Sequence, residues 1–301
     1  MRINKFFEEK DLVISIELYS PSCIGSRDYI FRTLEAMNGF KPDYMSITYR
    51  DFRGINNSIT YKEDMKCLLD IRDDYRIEVL PHIIGHNVNK EVLCEIIQEV
   101  YENQIENLLI LQGKELLDKG LNKKSMSKDF KDILQLINFI DKENKFSISS
   151  VCYPDTFISQ KYMEHDVDNI VKKVKSGASH FICKPQFNNS NIYSYINTID
   201  QKQLKIPIEV GILPITNFIQ LKMLNLYFND LIPSKVLKML HKYANDEKSL
   251  RDIGITYALY QIEELIHSGI DGIHIYLTDD PYVTKSIFQG LNKILRNNNV
   301  R

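Results

Sequence analysis

Leu12-Val13-Ile14-Ser15-Ile16-Glu17-Leu18 is a short run dominated by β-branched and aliphatic residues. Near-continuous hydrophobicity of this length suits a strand covered on both faces, as in a parallel sheet. Seven similar runs follow, at residues 44–49, 77–83, 107–112, 146–153, 180–184, 208–213 and 272–277. Longer amphipathic segments separate them, and helices are predicted over 61–75, 88–100, 129–140 and 167–176, the last closed by Gly177 as a C-terminal cap. The longest connection, 214–270, has room for two or three helices, one of them over 250–267. No Pro/Gly/Ser-rich linker, low-complexity block or tandem repeat divides the chain. This order predicts an α/β fold, a single (β/α)8 TIM barrel over residues 1–301 with extra helices between strands 7 and 8. A doubly wound open sheet is the competing topology, and no GxGxxG follows the first strand to favour it.

Composition narrows the function classes. The 301 residues are 44% hydrophobic and 26% charged, an ordinary globular balance. Lys and Arg number 38 against 40 Asp and Glu, a net charge of -2, so no basic excess drives binding to nucleic acid. The long uncharged runs, such as 210–221, are far short of the ~18–20 apolar residues of a membrane span. The first ten residues carry no apolar core of signal-peptide length, so a cytoplasmic protein with no membrane partner is expected. Cys23, Cys67, Cys94, Cys152 and Cys183 show no CxxC spacing and are expected to be small buried hydrophobes in a reducing compartment. His82 and His86 are four apart, but Pro81 and Gly85 make that segment a strand running into a loop, and no metal is expected there.

A barrel places its site at the carboxyl ends of its strands. Those ends bring Glu17, Thr48, His82, Gln112 with Gly113, Tyr153, Lys184, Leu213 with Pro214, and Tyr276 to one mouth. An acid, an imidazole, two phenols and a lysine suit a polar aromatic ligand. Glu17 stands out because Ile14, Ile16 and Leu18 surround it with apolar strand. A carboxyl in such surroundings needs a partner or a role, and it tends to keep its proton toward neutral pH.

The strand ends resemble those of the methylenetetrahydrofolate reductase family. Ile14-Ser15-Ile16-Glu17-Leu18-Tyr19-Ser20-Pro21 looks like the family's "SFEFFPP", Ser46-Ile47-Thr48-Tyr49 like "SVTYG", and Pro81-His82 like "PHL". Leu111-Gln112-Gly113 is similar to "LRGD", and Cys152-Tyr153-Pro154-Asp155 to "YPE". Gly211-Ile212-Leu213-Pro214-Ile215-Thr216-Asn217-Phe218 is close to "GILPVSNF", the most specific match. The similarity runs in order from about residue 12 to 290.

The resemblance implies a flavoenzyme of one-carbon metabolism. FAD would take hydride from NAD(P)H and pass it to 5,10-methylenetetrahydrofolate, giving 5-methyltetrahydrofolate, with Glu17 donating a proton to N10 of the folate. It implies flavin contacts at Thr48, His82, Gln112, Gly113, Lys114 and Tyr153. Asp166, Asn169, Lys172 and Lys173 match the family's "DxxNxxRK" helix, which grips the ribose and phosphates. Positions 166, 169 and 173 fall on one helical face. Lys172 stands where the family has Arg and lacks its bidentate fork; the plainer reading of Lys172, Lys173 and Lys175 is a solvated face near a helix C-terminus. Lys184, Gln186, Phe218 and Tyr276 fall at substrate positions, Phe218 as a flat clamp on folate or nicotinamide or, equally, as a core residue at a helix start. The family also implies a homo-oligomer or, in its short forms, a partner protein that supplies electrons.

Four departures stand out. The family's Asp after "LRG" is Lys114 here. A lysine there would favour the anionic reduced flavin by roughly 4 kcal/mol at ~4 Å and an effective dielectric of ~20, on the order of 80 mV. Alternatively Lys114 points to solvent and Glu115 takes the acidic role. The folate-contacting Gln is Lys184, with Gln186 nearby; the basic residue after the last strand is replaced by Asp279-Asp280, which predicts weaker binding of a folate glutamate tail; and the His of "YPEVH" is Phe157. These differences keep two other readings open: a flavin-free or partner-dependent barrel that binds a pterin-like ligand, and a flavin oxidoreductase for another substrate.

Overall fold

The computed structural model describes residues 1–20, 27–48, 58–86, 88–112, 127–154, 160–228 and 232–300. After an N-terminal helix, α1 (Ile3–Glu9), strands and helices alternate: β1 (Val13–Tyr19), α2 (Asp28–Ala36), β2 (Tyr44–Thr48), α3 (Ser58–Tyr75), β3 (Glu78–Leu80), β4 (His82–Ile84), α4 (Lys90–Glu102), β5 (Asn107–Leu111), α5 (Ile133–Asp141), β6 (Ser147–Cys152), α6 (Gln160–Lys175), β7 (Ala178–Pro185), α7 (Asn189–Gln201) and β8 (Ile208–Ile212). Three helices, α8 (Phe218–Phe228), α9 (Ser234–Lys242) and α10 (Glu247–His267), precede β9 (Gly272–Tyr276) and α11 (Pro281–Asn297).

All pairings are parallel, in the order β3-β2-β1-β9-β8-β7-β6-β5-β4. The two edge pieces, β3 and β4, are halves of one strand broken at Pro81, which has no N–H to give to a ladder. One half pairs β2 and the other β5, and Leu109 N–H donates to the Pro81 carbonyl at 2.9 Å. The sheet therefore closes on itself as a (β/α)8 TIM barrel, with the expected extra helices before its last strand.

Alternation within each strand divides the side chains. On β1, Ile14, Ile16 and Leu18 face the helix layer and join the large outer core, whereas Val13 belongs to a separate inner cluster with Tyr44, Leu80, Leu109, Val151 and Ile182. The helix caps follow local chemistry. Asn89 accepts from Val92 N–H at 2.8 Å, Asp132 from Gln135 N–H at 3.0 Å and Asp246 from Ser249 N–H at 3.1 Å. The helix predicted from residue 129 begins at Ile133, because Asp132 is the cap while Asp129 accepts the Lys90 N–H from another turn at 2.8 Å. Gly177, at φ 119°, ends the turn after α6 as predicted.

Helix α1 is an addition to the sequence-based picture. It covers the amino end of the barrel with Ile3 and Phe6 buried, Phe7 packs on His180 at 4.9 Å between ring centroids, and Ile3 N–H donates to Asn107 Oδ1 at 2.8 Å. The cysteine expectation needs one correction. Cys67, Cys152 and Cys183 are buried, but Cys94 is exposed, on the outer side of α4, and Cys23 lies outside the described residues. Cys152 and Cys183 are register partners on β6 and β7 with their sulfurs 3.0 Å apart. No described helix is long and apolar enough to cross a membrane.

Candidate active site

Glu17 sits inside the barrel near the carboxyl end of β1, 7% exposed, opposite Ser46 on β2 and Tyr276 on β9. Its Oε2 is 3.1 Å from Nε2 of His274 and 4.0 Å from Nε2 of His82. His82, the first residue of β4, is buried, and among the described residues neither of its ring nitrogens has a hydrogen-bond partner. Burial lowers its pKa, opposed by the Glu17 charge and reinforced by His274, so the neutral imidazole is the form favoured at neutral pH. Tyr276 packs edge-on against the His274 ring at 4.9 Å, and burial, helped by Glu17, raises its phenol well above the ordinary value. The mouth therefore offers an acid, two imidazoles and a phenol that stays protonated.

The far rim is built from β6, α6 and β7. Lys184 Nζ lies over the Tyr153 ring, 4.2 Å from its centroid. Gln186 is buried; its amide donates to the Lys184 carbonyl at 3.1 Å, and its own carbonyl accepts from Gln261 at 3.1 Å. On α6 the matched residues part company. Asp166 turns inward, accepting the Tyr153 N–H at 3.0 Å and the Tyr195 hydroxyl. Lys173 is buried and donates to the Val151 carbonyl at 2.8 Å. These two residues tie the helix to the end of β6. Asn169 and Lys172 lie farther out, with Lys172 Nζ 3.5 Å from Asn169 Oδ1. The solvated lysine face expected as the plainer reading holds for Lys172 and Lys175 and fails for Lys173, whose stem and amine are both taken inward.

Other positions are placed as follows. Gln112, just beyond β5, is exposed. Thr48 ends β2 in register with Tyr19, and its side chain lies outside the described residues, as do Gly113, Lys114, Glu115, Asp155 and Phe157. Phe218 starts α8 at 47% exposure, which removes the core-phenylalanine reading. Asp280 caps α11, accepting from Tyr282 N–H at 2.8 Å, and lies 3.3 Å from Arg251 Nη1. Its charge is met by donors, a role that the Asp280-Pro281 pair signals as N-cap followed by proline. Reasoning from strand ends alone missed His274, His180 and Glu209, which lie deeper. Glu209 and His274 interrupt apolar strand runs in the same way as Glu17. Among the described residues no group of three or more His, Cys, Asp or Glu is arranged to hold a metal ion.

The residues of this mouth suit a flat polar ring such as a flavin: the His82 imidazole, without a hydrogen-bond partner among the described residues, offers a donor and an acceptor at a strand end, and Tyr153, Lys184 and Tyr276 edge the same opening. Comparison with known proteins agrees with the strand-end motifs. Residues 2–292 match the family model described as methylenetetrahydrofolate reductase. The 5,10-methylenetetrahydrofolate reductase of Buchnera aphidicola subsp. Baizongia pistaciae is 26% identical over 284 residues, covering 94% of this chain and 91% of that protein. The protein of the same name from Escherichia coli K12 is 23% identical, covering 87% of this chain and 85% of that protein. Among solved structures, an uncharacterised Clostridium thermocellum protein that binds two copies of 5-methyl-5,6,7,8-tetrahydrofolic acid has the same fold, with a TM-score of 0.68 at 10% identity, covering 98% of this chain and 99% of that one.

Proposed function

Because the chain belongs to the methylenetetrahydrofolate reductase family, we propose that it reduces 5,10-methylenetetrahydrofolate to 5-methyltetrahydrofolate at this mouth, with FAD as cofactor, NAD(P)H as the hydride source and Glu17 as the proton donor. FAD, when bound, supplies the hydride that it has received from the nicotinamide. The single observation that supports the reading is the placement of Glu17: a buried carboxyl, beside two imidazoles, at the strand ends that carry the family's motifs.

The folate must open its five-membered ring before its methylene carbon can accept hydride, and that opening needs a proton on N10. Glu17 delivers it. Burial inside the barrel keeps water from the Glu17 carboxyl, and general acid catalysis of this kind contributes about 10²–10⁴-fold. His82, from β4, contributes a neutral ring edge to the cofactor. Thr48, Gln112, Gly113, Lys114 and Tyr153 would hold the rest of the ring system, and Asn169 and Lys172 would hold its ribose and phosphates. Asp166 and Lys173 fix the end of β6 that would support it. Lys184, Gln186, Phe218 and Tyr276 border the folate.

The test separates the two half-reactions. In Glu17→Gln, reduction of bound FAD by NADH or NADPH proceeds, while transfer to methylenetetrahydrofolate falls by about 10²–10⁴-fold. Equal rates of folate reduction in the variant and the parent protein would remove Glu17 from the mechanism.

A further inference from the structure

Beneath Glu17 the barrel holds a second carboxylate that the proposed reaction does not use. Glu209, on β8, is fully buried. Its Oε1 lies 2.6 Å from Ser15 Oγ, and its Oε2 accepts the Tyr44 hydroxyl and lies 2.9 Å from His180 Nε2. The contacts continue upward. Ser15 Oγ is also 2.6 Å from His274 Nδ1, and His274 Nε2 is 3.1 Å from Glu17 Oε2. Glu209, Ser15, His274 and Glu17 thus form one hydrogen-bonded line from the barrel floor to its mouth.

Proton counting gives that line a direction. Glu209 accepts from two donors, the Ser15 hydroxyl and the Tyr44 phenol, which burial and the Glu209 charge keep protonated. Ser15 has one proton and gives it to Glu209, so its oxygen receives a proton from His274, which must sit on Nδ1. A neutral imidazole has a single N–H. Nε2 then turns a lone pair toward Glu17, and only a protonated carboxyl can satisfy it.

We propose that Glu209 and Ser15 are positioning residues that fix His274 as its Nδ1–H tautomer, so that Nε2 holds Glu17 in the acid form from which it donates. The role of the acid rests on the function proposed above; the tautomer does not. Among the described residues the titratable groups facing the line are Tyr44 from β2, His82 from β4, His180 from β7, Asp271 and Tyr276 beside β9, and Cys152 and Cys183 near Tyr276, with Lys184 above at the rim. Phe7 of α1 covers His180 from below.

The test reads the ring itself. In protein labelled with 15N-histidine, the His274 nitrogens are assigned by their loss in His274→Gln. The expected result is a protonated Nδ1 and an unprotonated Nε2, with the Nε2–H form gaining population in Ser15→Ala and in the isosteric Glu209→Gln. An Nε2–H tautomer in the parent protein, or a ring unchanged in both variants, overturns the proposal. A second readout follows the folate half-reaction. In Ser15→Ala it slows at least about tenfold relative to flavin reduction, as part of what general acid catalysis contributes, and its alkaline limb moves to lower pH because Glu17 is no longer held as an acid. If the parent protein never passes hydride to folate yet shows Nδ1–H, the functional reading fails and the tautomer stands. If it does reduce folate while Ser15→Ala keeps its rate, pH profile and tautomer, the relay fails alone.

Discussion

Gly272 and Glu209 are register partners on β9 and β8, and the side chain that one lacks leaves the space that the other fills. A Cβ on Gly272 would lie 2.7 Å from Glu209 Cγ and 2.9 Å from the Val13 carbonyl. The barrel thus accommodates its deepest carboxylate by giving up a side chain beside it.

Gly272→Ala is therefore expected to destabilise the fold by about 1–3 kcal/mol through overpacking, read as a lower urea midpoint at unchanged slope. A midpoint equal to the parent's would show that Glu209 has room to move and that the packing around it is loose.

Gly254 of α10 makes a closer approach. A Cβ there would sit 1.8 Å from the Ile215 carbonyl oxygen, inside the 213–217 segment that links β8 to α8. Backbone cannot yield as a side-chain tip can, so Gly254→Ala is expected to push that segment and Phe218 outward. The predicted outcome is a loss of at least about 1 kcal/mol of stability together with a raised KM for the folate. Unchanged values of both would place the helix farther from the segment than the structure has it.

Asp64 on α3 makes stability depend on pH. It is buried, its Oδ1 accepts from the Ser20 hydroxyl at 2.6 Å, and its Oδ2 has no partner among the described residues. Burial, only partly offset by that hydrogen bond, raises its pKa from 3.8 to about 6. The folded state then binds the proton more tightly than the unfolded state. Its contribution is favourable below pH ~4 and is lost as pH climbs through about 6. Asp64→Asn keeps the acceptor and removes the charge. It should match the parent near pH 4 and exceed it at pH 8 by up to about 3 kcal/mol in urea unfolding. A difference that does not vary with pH would contradict the assignment.

The barrel was legible in the sequence because strands buried on both faces leave apolar runs, and every one of the eight runs became a strand. Glu17 was legible for the complementary reason, a carboxylate interrupting such a run. Glu209 in Ile208-Glu209-Val210 and His274 in Ile273-His274-Ile275 carry the same signal, but attention to strand ends passes over residues two to four positions deeper. The inward turn of Asp166 and Lys173 was not legible, since spacing assigns residues to a face of a helix and does not say which neighbour that face meets. Helix α1 could have been read from the i, i+3, i+4 spacing of Ile3, Phe6 and Phe7. The break at Pro81 closes the barrel only because two different neighbours claim the two halves of one strand, a tertiary fact with no local signature.

The most direct test of the central claim is an anaerobic reoxidation experiment on the purified protein loaded with FAD and bleached by NADH or NADPH. The account predicts that 5,10-methylenetetrahydrofolate restores the flavin colour with stoichiometric formation of 5-methyltetrahydrofolate. A protein that takes up no FAD, or whose bleached flavin is recoloured by other acceptors and not by this folate, would contradict it.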